Sequence, residues 1–199
     1  MKKTFLITMG LTVIASTSVF YSCSNSNEKQ SDSKVTADQP KQEDIIKQGQ
    51  HLVTIMGCND CHSPKKMGAQ GPEIIADLML SGYPSDRPIV KFDSKLIKEG
   101  FPMSYPDLTA TAGPWGVSFA GNITPDETGI GNWTEAQFKK AMTEGKFKGL
   151  DGSRTLLPPM PWQQYKSLTN DEIHSIFTYL KSIKPVKNIV PSPVTPDKM

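Results

Sequence analysis

The chain has 199 residues, 37% hydrophobic and 21% charged. That is one domain with room for tails, too apolar for full disorder and too mixed for a multi-span membrane protein. Lys and Arg total 22 against 20 Asp and Glu, only Arg87 and Arg154 are arginines, and no basic run extends beyond Lys65-Lys66, so the composition argues against a nucleic-acid partner. Three Cys are too few for a disulfide scaffold, while 16 Pro and 15 Gly predict long loops.

At the amino terminus, Lys2 and Lys3 precede an uncharged apolar or small run from Phe5 to Tyr21. This reads as an export signal, slightly short for a membrane span. Ser22-Cys23 at its end resembles the lipoprotein cleavage pattern of bacteria. That resemblance implies cleavage after residue 22 and lipidation of Cys23, with acyl chains anchoring the chain at about 0.8 kcal/mol per buried methylene. Loss of residues 1–22 leaves 20 basic and 20 acidic residues. Residues 23–41 are almost wholly polar and read as a flexible tether.

Residues 42–57 place Ile45, Ile46, Gly49, Leu52, Val53 and Met56 at three- and four-residue spacing, which predicts a helix. Gly49 is small enough to admit a close crossing by a later helix, near Phe177 or Tyr179. His51 lies off this stripe and is expected at the surface. The helix runs into Cys58-Asn59-Asp60-Cys61-His62, the attachment signature of c-type haem. Two Cys two residues apart reach the two vinyl groups of one porphyrin, and the following His offers a neutral imidazole to iron. Chance occurrence at this composition is on the order of one in a thousand. A zinc site needs further Cys or His ligands, and a thioredoxin-like redox pair needs a βαβ context that the pattern lacks. The expected cofactor is therefore one covalent haem c.

Residues 68–133 show little periodicity and read as long loops, with one short helix near Glu73–Leu80. Thr134-x-x-Gln137 is a capping box for a helix through about Glu144, ended by Gly145, with Phe138, Ala141 and Met142 towards the core. Leu157-Pro158-Pro159-Met160-Pro161-Trp162 follows, where the prolines exclude helix and favour a stiff, extended backbone. Thr169-x-x-Glu172 opens a last helix carrying Ile173, Ile176, Phe177, Leu180 and Ile183, stopped by Pro185. His174 sits beside that face. Residues 187–199 read as an extended Pro-rich tail.

A Met thioether opposite His stabilises ferrous iron. Met67 is too near His62 to cross to the other face, Met142 reads as core, and Met199 ends a loose tail. Met160, on its stiff loop, is the preferred sixth ligand. Met103 is the second candidate, with a histidine or an open site remaining.

The pieces CNDCH (58–62), GNITPDETGIGNW (121–133), LPPMPW (157–162) and LTNDEIHSIFTYLKSIKPV (168–186) together resemble the class I-like cytochrome c family. Within it they are similar to the cytochrome c domains that serve bacterial dehydrogenases of alcohols, aldehydes and sugar acids. The resemblance spans about residues 45–190. It implies an all-α cytochrome c fold over residues 42–186, helices wrapped around one haem, with His62 proximal and Met160 distal. It also makes Asn122, Ile123 and Trp133 candidates for the haem pocket. Unlike many relatives, the chain has one haem motif and no catalytic domain.

The function expected is single-electron transfer between redox proteins, a dehydrogenase donor or an oxidase acceptor, by a carrier that is not itself an enzyme. Its expected place is the periplasmic side of a bacterial membrane. The alternative is a haem-based ligand sensor or haem enzyme with an open distal site. A thiol–disulfide protein would instead require free, reactive Cys58 and Cys61.

Overall fold

The computed structural model describes residues 40–89 and 91–199. The export signal, Cys23 and the tether up to residue 39 lie outside the described residues. The core is built on two helices, α1 (Gln42–Ile55) and α5 (Asn170–Ser182). α1 buries Gly49, Leu52 and Val53, the stripe expected from the spacing, and α5 answers with Ile173, Ser175, Ile176, Tyr179 and Leu180. Gly49 is the point of closest approach. A side-chain carbon there would collide with the Ser175 carbonyl and the Tyr179 Cβ, so the crossing falls on Tyr179 and not on Phe177. Phe177 packs instead on Phe138 of α4 (Glu135–Glu144), ring centres 5.3 Å apart. Leu80, Ile130, Met142 and Tyr165 complete this core.

Both capping boxes form. Thr134 accepts from the Gln137 amide, Thr169 accepts from the Glu172 amide, and each partner's side chain returns to the cap's own amide. Gly145 ends α4 in the left-handed conformation, φ 66°, where its missing side chain also makes room for the Trp162 ring. A one-turn helix, α2 (Cys58–His62), follows α1 directly through Gly57, also left-handed at φ 68°.

There are five short strands, of which four and the end of the first fall in the segment expected as loops. β1 (Lys65–Gly68) and β2 (Gly71–Ile74) form one antiparallel hairpin. β3 (Met103–Ser104), β4 (Ala110–Gly113) and β5 (Gly116–Phe119) form an antiparallel sheet in the order β3-β4-β5. A short helix, α3 (Ser94–Lys98), precedes it, capped by Asp93. The short helix expected near 73–80 is instead the end of β2 and a single 3-10 turn, Ala76–Leu78. Strands of two to four residues leave little alternation to read, and β4 is buried at all four positions. The structure is thus helical at its centre and partly strand at its side. Among the described residues no helix is long and apolar enough to cross a membrane.

The segment after Val186 is not loose. Asn188 is only 6% exposed, and Val194 pairs with Val117 of β5 through two backbone hydrogen bonds of 2.8 and 3.0 Å.

Candidate functional site

α2 sets Cys58, Cys61 and His62 at positions i, i+3 and i+4, which share one face of a helix. The helix is only one turn long, so its carbonyls need outside partners. Lys65 supplies them. Its Nζ donates to the carbonyls of Asp60 (2.6 Å), Asp107 (3.1 Å), Ser63 (3.2 Å) and Asn59 (3.3 Å). The Ser63 hydroxyl donates to Asn59 Oδ1 and accepts from the Leu80 amide, tying the end of α2 to the core.

Cys58 and Cys61 are free thiols and line a cavity of about 280 Å³. Burial pushes the Cys58 thiol up to about 11, outweighing a backbone hydrogen bond that lowers it, with the charges of Asp60 and Cys61 adding to the rise. Burial likewise raises Cys61. Both thiols are therefore neutral at physiological pH, the opposite of the depressed pKa that thiol–disulfide exchange uses. Tyr165 lines the same cavity, and burial, with Cys58 and Cys61, pushes its hydroxyl to about 12.

His62 faces a second cavity, of about 150 Å³, walled by Trp133, Phe138, Met142 and Phe147. Its Nδ1 lies 2.7 Å from the Gly121 carbonyl oxygen. A carbonyl only accepts, so Nδ1 carries the proton and donates, and Nε2 is left with its lone pair. Burial lowers the imidazole pKa, against the opposing effect of the Gly121 bond, and favours this neutral form. Arg154 brings a positive charge to the same cavity, its guanidinium 4.0 Å from the centre of the Phe147 ring.

Met160 lines both cavities, as do Ser118, Phe119 and Leu157. The run leading into it is pinned twice. The Leu156 amide donates to the Gly145 carbonyl (2.7 Å), and Ser118 Oγ donates to the Pro158 carbonyl (2.6 Å). The prolines form a turn, closed by the Met160 amide on the Leu157 carbonyl, and not the extended run expected. Pro161 then leads into a 3-10 turn, Trp162–Ser167. Met103 is elsewhere. It sits on β3 against the separate cluster of Ile97, Ala112 and Val117 and lines neither cavity.

The three pocket candidates from the 121–133 stretch divide. Trp133 lines the His62 cavity. Ile123 packs on the helical core, and Asn122 is buried with its amide committed to Thr124, Thr128 and Val186. Neither lines the two cavities; they flank the Gly121 carbonyl that holds His62. His51 is exposed, and His174 is paired at the surface with Glu135, 2.9 Å away. Sequence reasoning missed Phe119, Leu157, Tyr165 and Arg154, all of them cavity-lining. The spacing of Tyr165 from Met160 was visible, but nothing in it showed which way the chain turns after Pro161.

The donor set suits a haem. A neutral imidazole and a thioether are borderline and soft ligands that iron porphyrins take, two thiols on one helical face suit the porphyrin's two vinyl groups, and here all four edge two adjoining, mainly apolar cavities.

No family model matches the chain. Curated relatives do. Over 88 residues it is 41% identical to the fructose dehydrogenase cytochrome subunit of Gluconobacter japonicus, 43% of this chain and 17% of that one. Over 75 residues it is 40% identical to the cytochrome c subunit of the quinone-dependent alcohol dehydrogenase of Gluconacetobacter polyoxogenes, 37% of this chain and 15% of that one. Over 152 residues it is 28% identical to the gluconate 2-dehydrogenase cytochrome c subunit of Pantoea cypripedii, 75% of this chain and 26% of that one. The chain thus spans at most about a quarter of the length of these relatives, each of which is named as a cytochrome subunit of a dehydrogenase.

Proposed function

We propose that the chain is a monohaem c-type cytochrome of the class I-like family, an electron carrier and not an enzyme. The observation that carries this reading is the meeting of Cys58, Cys61, His62 and Met160 around two cavities that share one wall. The similarity to cytochrome subunits of dehydrogenases supports it. When bound, haem supplies an iron that alternates between ferrous and ferric states.

The chain's own residues do the rest. Cys58 and Cys61 would hold the group through thioethers. His62 presents Nε2 because Gly121 occupies Nδ1. Met160 would hold the iron through its thioether from a loop pinned by Ser118 and Gly145, which would limit rearrangement when charge changes. Leu157, Phe119, Trp133 and Phe138 exclude water, and the low polarity disfavours the extra charge of ferric iron. Arg154 offers a cation to the carboxylates that a haem carries.

The carrier's expected partners are a dehydrogenase that donates electrons and an oxidase that accepts them, met through small, transient contacts. Lipidation at Cys23 and the tether would hold it at the periplasmic face of a membrane and raise its effective concentration there.

The test is an absorption spectrum of the protein produced with haem-attachment machinery, wild type beside Met160→Ala. A low-spin c-type spectrum whose weak far-red sulfur-to-iron band vanishes in the variant is expected. A wild type without covalent haem sinks the reading; a high-spin wild type, or a variant spectrum identical to it, removes Met160 from the iron.

A further inference from the structure

His62 is held by two backbone groups on two different loops. The Gly82 amide donates to its carbonyl (2.7 Å), and the Gly121 carbonyl accepts from its Nδ1 (2.7 Å). These loops touch directly at Tyr83 N to Ala120 O and Ile123 N to Leu80 O, both 3.0 Å. At Gly82 the fit is so close that a side-chain carbon would strike the Ala120 and Gly121 backbone. What secures the pair from outside is the segment after α5.

Asn188 makes that connection. Its Nδ2 donates to the carbonyls of Ser81 (2.7 Å) and Tyr83 (2.9 Å), on either side of Gly82. Its Oδ1 accepts from the Ser85 amide (2.8 Å). Its own amide donates to Thr128 Oγ1 (2.9 Å). Asn122, the neighbour of Gly121, donates through Nδ2 to the Val186 carbonyl (2.8 Å) and, more weakly, to the Asn188 carbonyl (3.4 Å). One buried side chain therefore spans the first loop while its backbone meets the second. Such a residue is costly to leave unsatisfied, and here its donors and its acceptor all have partners. Further along, Pro193 lines the His62 cavity, and Val194 clips the segment to β5.

We propose that residues 186–194 are a strap that positions the proximal histidine, with Asn188 as its positioning residue. This deepens the cytochrome reading and rests on it for the histidine's role, although the mechanical claim does not need the haem.

Hydrogen exchange tests it in the full chain. The Gly82 amide and the His62 ring N–H are followed in wild type, Asn188→Ala, the isosteric Asn188→Asp, and Lys184→Ala as a surface control, whose ion pair with Asp77 is exposed. Both protons are expected to exchange about tenfold faster or more in the Asn188 variants, and to be unchanged in the control. Unchanged protection of both protons, even with a lower melting temperature, overturns the proposal. If a variant does not fold, the wild type decides alone. The Asn188 and Gly82 amides are expected to open as one unit, and an Asn188 amide that opens far more readily than Gly82 overturns it. Failure of the cytochrome reading would show separately, as absent haem in the wild type, while the Gly82 amide still reports on the strap.

Discussion

Gly49→Ala inserts one methyl group where α1 meets α5 backbone to backbone. The added carbon would lie well inside contact distance of the Ser175 carbonyl oxygen. That oxygen belongs to the helix and has no rotamer to yield, so the helices must part. Overpacking of this kind costs about 1–3 kcal/mol, and with a backbone atom in the way the upper end applies. Against it, Ala in place of Gly favours the helix by about 0.5–1 kcal/mol. The expected net loss is about 2 kcal/mol. For a folded unit of this size that corresponds to a fall of about 4–8 °C in melting temperature. Urea unfolding followed by circular dichroism measures it, with the slope unchanged and the midpoint lowered. Gln50→Ala, an exposed position on the same helix, should stay within about 0.5 kcal/mol of wild type. A Gly49→Ala protein as stable as wild type, or more stable, would refute the close crossing.

Lys65→Met leaves the carbonyls at the end of α2 without their shared donor, and unfolding should show a loss of about 2 kcal/mol; a change below about 0.5 kcal/mol would mean water replaces the ammonium freely. Asp107 is buried beside Arg87, 2.9 Å away. Burial raises its pKa, but hydrogen bonds from Thr109 and the Arg87 guanidinium more than offset this and leave it below the ordinary 3.8. A lowered folded-state pKa gives stability that is complete above 3.8 and is lost as pH falls through the folded value. Asp107→Asn should therefore flatten the stability curve in that acid range, and an unchanged acid limb would remove Asp107 from the linkage. Cys23→Ser should abolish incorporation of labelled fatty acid and release the chain from the membrane fraction; continued labelling would place the anchor elsewhere.

What was legible in the sequence was local. Spacing of three and four residues exposed α1, α4 and α5, and hydroxyl–carboxylate or hydroxyl–amide pairs three apart marked where two of them start. CxxCH is legible for the same reason, since its three groups lie within one helical turn. The strands were not legible because they are short, and β4, buried at every position, shows no alternation. The turn between β4 and β5 is Pro114-Trp115 flanked by Gly113 and Gly116, a recognisable hairpin signal once the flanking residues are known to pair. Met160 was singled out by its place among prolines, and the structure sets it on the wall of both cavities. The fate of the segment after Val186 was not reachable, since nothing in a Pro-rich stretch tells that its one buried Asn will meet carbonyls 105 and 107 residues away.

That difference divides the site into two kinds of specification. Cys58 and Cys61 lie on α2 beside its Lys65 clamp, all within eight residues, so the proposed attachment point rests mainly on local chain. The tautomer of His62, with Nε2 left unprotonated, depends on Gly121, 59 residues on, and the loop carrying Gly121 depends in turn on Asn122 and the strap. The Met160 loop depends on Ser118 of β5 and on Gly145 at the end of α4. On the proposed reading, attachment of a haem is thus encoded mainly locally, while the geometry that would tune its iron is encoded across the whole fold. On the same reading, substitutions in the strap or in β5 should accordingly alter the iron's spectrum and potential while leaving the haem attached, whereas substitution of Cys58 or Cys61 should cost the covalent attachment itself.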